Sequence, residues 1–225
     1  MDVYESVAAV CRKAKEHASA VAFASEADMN AMLRAAADAL RAKAAYIIAE
    51  NAEDVKNCTR GAQFADRLML NEKRIDGIAA GLEKLVELKC PVGEVLEERT
   101  LYNGLQLSRV RVPLGVIGII YESRPNVTAD AIGLCVKSGN AVVLRGSKDA
   151  LRSNKAICAV VKGAIAEAGY DPEFIQLIED GSREGATALM QMNGLVDVLI
   201  PRGGAALIQN AVRNATVPVI ETGTG

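Results

Sequence analysis

The sequence predicts an α/β protein: a helical N-terminal region, a projecting β-hairpin, and an open parallel sheet with helices on both faces. Three observations carry this. Apolar residues recur at three- and four-residue intervals through about the first ninety positions. Two strand-like runs then flank Asn103-Gly104, a strong hairpin signal. From Gly115 onward, short continuous apolar runs alternate with amphipathic stretches, as strands buried on both faces and their covering helices do. The parts divide at residues 1–93, 94–113 and 114–225.

Residues 3–23 read as a first helix, with Val7, Val10, Ala14 and Ala18 on one face. Ser25 and Asp28 have capping-box spacing and open a helix over 26–57 with a break near its middle. Asn71 caps the next helix, through Ile75, Ile78, Leu82 and Leu85, and Pro91 stops it. Residues 95–101 and 105–112 form the hairpin arms, whose turn expects positive φ at both Asn103 and Gly104. Strands follow at 116–120, 141–144, 174–178, 196–200 and 217–220, with helices at 127–137, 149–168, 183–192 and 205–212. An open parallel sheet binds ligands at the carboxyl ends of its strands.

Composition excludes several classes. The 225 residues are 50% hydrophobic and 24% charged, with net charge −2. That charge argues against nucleic acid, which asks for a clustered basic face. No apolar run is long enough for a membrane span, and Asp2 and Glu5 stand where a secretory leader carries positive charge. The five cysteines are scattered, as expected of free thiols in a cytoplasmic protein. Cys135 and Cys158 read as core residues. A single histidine, His17, permits neither a histidine metal cluster nor a Ser-His-Asp triad.

Four loops leave the predicted strand ends. In Glu122-Ser123-Arg124-Pro125-Asn126, Asn126 is either the N-cap of the next helix or an amide donor to a developing oxyanion. Arg145-Gly146-Ser147-Lys148 precedes a helix N-terminus and suits a phosphate; the alternative is a solvated loop in which Lys148 meets Asp149. Arg202-Gly203-Gly204 lets a ligand approach the backbone. In Glu221-Thr222-Gly223-Thr224-Gly225, Glu221 is a base, a ribose ligand or a turn residue. No GxGxxG fingerprint follows any strand, so a standard Rossmann site is not supported. The chain stops in this glycine-rich loop with no helix after it, and the expectation is truncation.

Residues 109–128, 137–146, 200–204 and 220–225, with the hairpin stretch 97–104, resemble the γ-glutamyl phosphate reductases, the acyl-phosphate-reducing branch of the aldehyde dehydrogenase superfamily. The resemblance covers the whole chain. It implies an aldehyde dehydrogenase-like cofactor domain and NADPH-dependent reduction of γ-glutamyl phosphate to glutamate 5-semialdehyde and phosphate in proline synthesis. It implies that Arg145, Gly146, Ser147 and Lys148 hold the adenosine end of NADPH, with Lys148 suited to a 2′-phosphate. Arg202, Gly203 and Gly204 would face the pyrophosphate or nicotinamide, and Glu221 and Thr222 the nicotinamide. Asn126 would stabilise the oxyanion, and Glu122, Ser123 and Arg124 would contact the substrate.

The family's chemistry uses a cysteine thiolate that displaces phosphate to form a thioester, which hydride then reduces. Its Pro-Gly-Thr-Cys-Asn segment is absent from these 225 residues, so no turnover by this chain alone is expected. A homo-oligomer formed through the hairpin is expected as well. Two other readings remain. One is a non-catalytic dinucleotide-binding or assembly module; the other is half of a bifunctional kinase–reductase, against which Met1 directly before the first helix argues.

Overall fold

A computed structural model describes residues 2–223; Thr224 and Gly225 of the last predicted loop lie outside the described residues. Helices α1 (Val3–Glu16), α2 (Ala18–Ala22), α3 (Glu26–Ala42), α4 (Ala44–Lys56), α5 (Ala62–Leu68) and α6 (Glu72–Glu87) precede the hairpin β1 (Val95–Thr100) and β2 (Gln106–Val110). Then come β3 (Val116–Tyr121), α7 (Asn126–Lys137), β4 (Ala141–Arg145), α8 (Leu151–Glu167), β5 (Ile175–Leu177), α9 (Arg183–Met190), β6 (Val198–Arg202) and α10 (Ala205–Asn214).

The capping box is present at α3, where the Ser25 side chain accepts from Asp28 N–H and Asp28 accepts from Ser25 N–H. Asn71 caps α6 by accepting from Arg74 N–H at 2.8 Å. Several boundaries differ from expectation. The first predicted helix divides at His17, whereas the second breaks at Lys43, near its middle as expected. Between residues 57 and 71, where no element was expected, α5 forms behind Gly61. The hairpin turn is not built on two positive φ angles; only Gly104 has one, at 86°. Gly104 N–H donates to Leu101 C=O and Leu101 N–H to Leu105 C=O, the pattern of a three-residue loop with a glycine bulge. Asn103 serves through its side chain, which accepts from Leu105 N–H.

The parallel sheet has the order β5-β4-β3-β6. β6 starts and ends two residues later than predicted, because Val198 rather than Val196 enters register opposite Ile117. The expected fifth strand is reduced to a parallel bridge between Leu199 and Val219 on the outer edge of β6. The helix expected from Asp149 begins as a single 3₁₀ turn, Lys148–Ala150, capped by Ser147.

Both sheet faces are covered. α7 and α8 lie on one face, overlaid by α3, α4 and α6; on the other, α1 packs against β4 and β5 and α9 against α1 and β3. One hydrophobic cluster joins the N-terminal helices to the strands. Burying β3 and β4 completely on both sides forces their polar ends to the rim, which is where ligand-binding groups belong. Gly115 seats the start of β3: at φ +118° a Cβ there would stand 2.2 Å from Asp197 Oδ2, which accepts from Val116 N–H and pairs with Lys15.

The α1–β5 side carries a pH-sensitive contact. Burial opposes ionisation of Glu173, but the Lys13 and Lys162 ammonium groups and the Gln176 amide outweigh it and hold its pKa at about 2. A depressed folded-state pKa stabilises above the ordinary carboxylate pKa and loses that stabilisation as pH falls towards 2. Thermal unfolding followed from pH 5 to pH 2.5 is expected to show a smaller acid loss in Glu173→Gln, by about 1 kcal/mol after solvent screening.

Candidate functional site

The chain runs from β3 through β4 to β5 on one side, then returns to β6 on the other, so the strand order reverses between β3 and β6. Adjacent loops diverge there and leave a crevice at the carboxyl ends. A cleft of about 600 Å³ occupies this position, lined by Glu122, Ser123 and Arg124 after β3, Arg202 and Gly203 after β6, and Thr222. A second, of about 720 Å³, continues over the end of β4, where Arg145, Ser147 and Lys148 line it. Phe64, Arg67, Glu122 and Ser123 line both, so the two form one trough across the strand ends.

The Arg145 end is built on a buried polar scaffold. Tyr121 and Thr128 share a hydrogen bond of 2.8 Å, and Thr128 donates to Asn154 at 3.0 Å. Gly146 lies against this scaffold; a Cβ there would stand 2.2 Å from Asn154 Nδ2. Gly146 is therefore needed for packing and does not line the trough. Arg145 donates to Ser182 C=O, while its buried Nε has no protein partner among the described residues. Burial lowers its pKa, and Asp180 and Tyr121 oppose that. Lys148 is exposed on the trough wall. The pairing of Lys148 with Asp149 is not found: Asp149 takes Arg60 at 3.3 Å and the Ser147 hydroxyl at 3.1 Å.

From below, α4 holds this end in place. Asp54 accepts from Ser153 N–H at 2.8 Å, Ser153 Oγ–H at 2.6 Å and Arg152 N–H at 3.3 Å, capping α8 from another helix. Asn51 donates to Leu68 C=O and accepts from Leu70 N–H, fixing the exit of α5. The same pair of residues thus sets α8 behind Lys148 and α5, whose Phe64 and Arg67 form the trough's outer wall.

At the β6 end, Gly204 N–H is not free for a ligand: it donates to Glu122 Oε1 at 3.1 Å, and Glu122 N–H donates to Arg202 C=O. Gly203 is required by the same contact, since a Cβ would stand 2.7 Å from the Glu122 carboxyl carbon. Glu122 thus latches the β3 loop to the β6 loop. Thr222 donates to Pro201 C=O at 2.6 Å. Glu221 is exposed and does not line the trough.

Asn126 does not cap α7. Pro125 occupies the cap position, and Asn126 is the first helical residue. Its amide donates to Asp130 at 2.9 Å, one turn on, in a separate cleft. Ser123, not Asn126, is the buried polar side chain of this loop that reaches the trough. Sequence reasoning missed α5, with its trough residues Phe64 and Arg67, as well as Arg60 just before it and Asp130. The Arg60-Gly61 step before a helix repeats the cation–glycine pattern of the other loops, and Asn126 and Asp130 have i, i+4 spacing.

No cysteine lines the trough. Cys11, Cys135 and Cys158 are buried, and burial pushes each thiol up to about 12. Cys58 and Cys90 are partly exposed. Titration of the native chain with a thiol-reactive disulfide is therefore expected to modify these two quickly and the other three only on unfolding. Among the described residues no group of His, Cys, Asp and Glu is placed to hold a metal, and no helix is long and apolar enough to cross a membrane.

A doubly covered parallel sheet with a charged trough at its topological switch point defines a ligand-binding α/β domain. Residues 3–221 match the profile described as the aldehyde dehydrogenase family, and the chain belongs to that family. It is 53% identical to a γ-glutamyl phosphate reductase of Heliobacterium modesticaldum, covering 100% of this chain and 55% of the relative. The crystal structure of the γ-glutamyl phosphate reductase of Thermotoga maritima superposes with TM-score 0.92 at 39% identity, over 100% of this chain and 54% of that one. That of Saccharomyces cerevisiae gives 0.85 at 30%, covering 57% of its length. The chain spans about half the length of the relatives it matches.

Proposed function

We propose that this chain forms the dinucleotide-binding part of an NADPH-dependent reductase acting on γ-glutamyl phosphate. The observation that carries this is the trough over β4, β3 and β6, with Arg145 and Lys148 at one end. Among the described residues Arg145 Nε is a buried donor without a partner, and Arg145 lines the trough, which fits a phosphorylated ribose. Bound NADPH supplies hydride. Arg145 and Lys148 hold its 2′-phosphate by charge-assisted bonds. Phe64 and the end of β3 shield the trough from water, and Ser123 and Arg202 stand at the nicotinamide end. Glu122 keeps the two loops at a fixed separation. The names of the relatives support γ-glutamyl phosphate as substrate. A same-fold enzyme of Methanocaldococcus jannaschii is described as complexed with NADP, which supports the cofactor class. A reacting cysteine would come from outside these residues.

Fluorescence titration of the chain with NADPH and NADH tests this. Saturable binding that favours NADPH is expected; no binding of either nucleotide overturns it. Hydride transfer by a protein that also carries the thiolate segment separates a reductase from a module that only binds.

The hairpin is proposed to pair subunits. Leu96, Tyr102, Leu105 and Leu107 are all exposed on it, apolar surface that association would bury. Light scattering at micromolar concentration is expected to give an oligomer, and a monomer for Leu105→Asp/Leu107→Asp.

A further inference from the structure

The loop from β5 to α9 makes one close backbone approach. A Cβ on Gly181 would stand 2.6 Å from Lys148 Cβ and 3.1 Å from Lys148 Cα. Residue 181 therefore packs on the root of the Lys148 side chain, and only glycine allows that approach. Neither Lys148 atom moves when its rotamer changes, so the side chain cannot swing aside to make room. The next residue, Ser182, accepts from the Arg145 guanidinium on its C=O. Two consecutive residues of one loop thus hold both cations at this end of the trough, and Gly181, Arg145 and Lys148 line the same cleft.

Hydrogen bonds brace the loop itself. Ile178 N–H donates to Leu144 C=O, which ties its start to β4. Asp180 accepts from Ser182 N–H at 2.6 Å, and Ser182 Oγ accepts from Gly185 N–H at 3.0 Å, capping α9. Gly185 lets the turn close, since a Cβ there would stand 3.1 Å from the Asp180 carbonyl oxygen. The braced loop acts on two different cations. Lys148 is exposed, and a lysine loses rotamer freedom when it grips an anion; a root already seated leaves less to lose. Arg145 has one edge of its fork on Ser182, while its Nε remains a buried donor without a partner among the described residues.

We propose that Asp180-Gly181-Ser182 is a positioning element for cofactor selectivity, Gly181 seating Lys148 and Ser182 seating Arg145 so that both cations meet one ribose phosphate. The inference rests on the function proposed above and deepens it. The preference for a phosphorylated ribose then depends on a loop of the neighbouring strand as well as on the two cations.

The test is titration of the chain and of Gly181→Ala, Lys148→Ala and the double variant with NADPH, NADH and 2′-phosphoadenosine. Gly181→Ala is expected to weaken NADPH and 2′-phosphoadenosine about tenfold and NADH less than about twofold, one charge-assisted contact being misplaced. In the Lys148→Ala background the same substitution is expected to change NADPH affinity less than about threefold, because the cation it misplaces is gone while the backbone clash remains. A purely structural role would cost both nucleotides alike in both backgrounds. That result overturns the proposal, as does unchanged NADPH affinity in Gly181→Ala.

Nuclear magnetic resonance of the unmodified ¹⁵N-labelled chain keeps the test open where a variant fails to fold. 2′-Phosphoadenosine is expected to shift the Gly181 amide and Arg145 Nε–H signals, and adenosine at the same concentration to leave them in place. Equal shifts from the two, or none from either, overturn the proposal. The two ideas fail separately. NADPH-selective binding that survives Gly181→Ala overturns the positioning element alone. A chain that binds neither nucleotide but gives the 2′-phosphoadenosine shifts supports the element and overturns the cofactor reading.

Discussion

Replacing Lys148 with glutamate is expected to weaken NADPH binding about 100-fold while leaving NADH within a few-fold. The arithmetic follows from what is lost and what is added. A charge-assisted hydrogen bond is worth about 1.5–3 kcal/mol, and a like charge placed beside a phosphate adds repulsion, so roughly 2.7 kcal/mol or two decades is a moderate expectation. Lys148 is exposed and has no ion-pair partner among the described residues, since Asp149 is committed to Arg60 and Ser147. Its removal therefore breaks nothing in the fold. Lys148→Ala gives the intermediate case, about tenfold. NADPH and NADH titrations by nucleotide fluorescence measure both; an equal loss for the two nucleotides would mean that Lys148 does not meet the 2′-phosphate.

Asp54→Ala is expected to cost about 3 kcal/mol of stability, or roughly 6–12 °C in melting temperature for a chain of this size. The Asp54 side chain accepts from two backbone N–H groups and the Ser153 hydroxyl, and both Asp54 and Ser153 are buried. Truncation leaves those donors without water or protein to receive them, which is costlier than losing an exposed cap. Asp54→Asn keeps one acceptor oxygen and is expected to cost about half as much. Because Asp54 anchors the first turn of α8, just behind Lys148, the alanine variant is also expected to weaken NADPH binding several-fold even where it remains folded. Calorimetry and the same titration separate the two effects. Unchanged affinity in a destabilised but folded variant would show that the ledge is set by β4 alone.

Much of the architecture was legible because it depends on local chemistry. Continuous apolar runs such as residues 116–120 and 141–144 cannot be satisfied on one face only, so a doubly covered parallel sheet followed from them. Ser25 and Asn71 act on their own neighbours, and they open helices as read. The misplacements have a shared cause. Asn103-Gly104 allows more than one turn type, and cross-strand pairing chose the bulged loop. Val196 and Val198 are both strand formers, and only the register against β3 decides which one begins β6. Asn126 has the chemistry of a cap, but Pro125 reaches that position first and Asp130 claims the amide.

The candidate site divides in the same way. Sequence alone determined that cations and glycines stand at successive strand ends, Arg145 and Lys148 after one and Arg202 and Gly203 after another, because strand and helix periods place those residues at the rim without reference to the rest of the chain. Only tertiary structure decided that Glu122 occupies Gly204 N–H, that Gly146 serves packing, and that Arg67 of an unforeseen helix lines the same cleft as Asp130. Each of these is a contact between residues far apart in the chain or on separately placed elements. The energy of such a contact depends on distance and burial, which no stretch of sequence carries by itself.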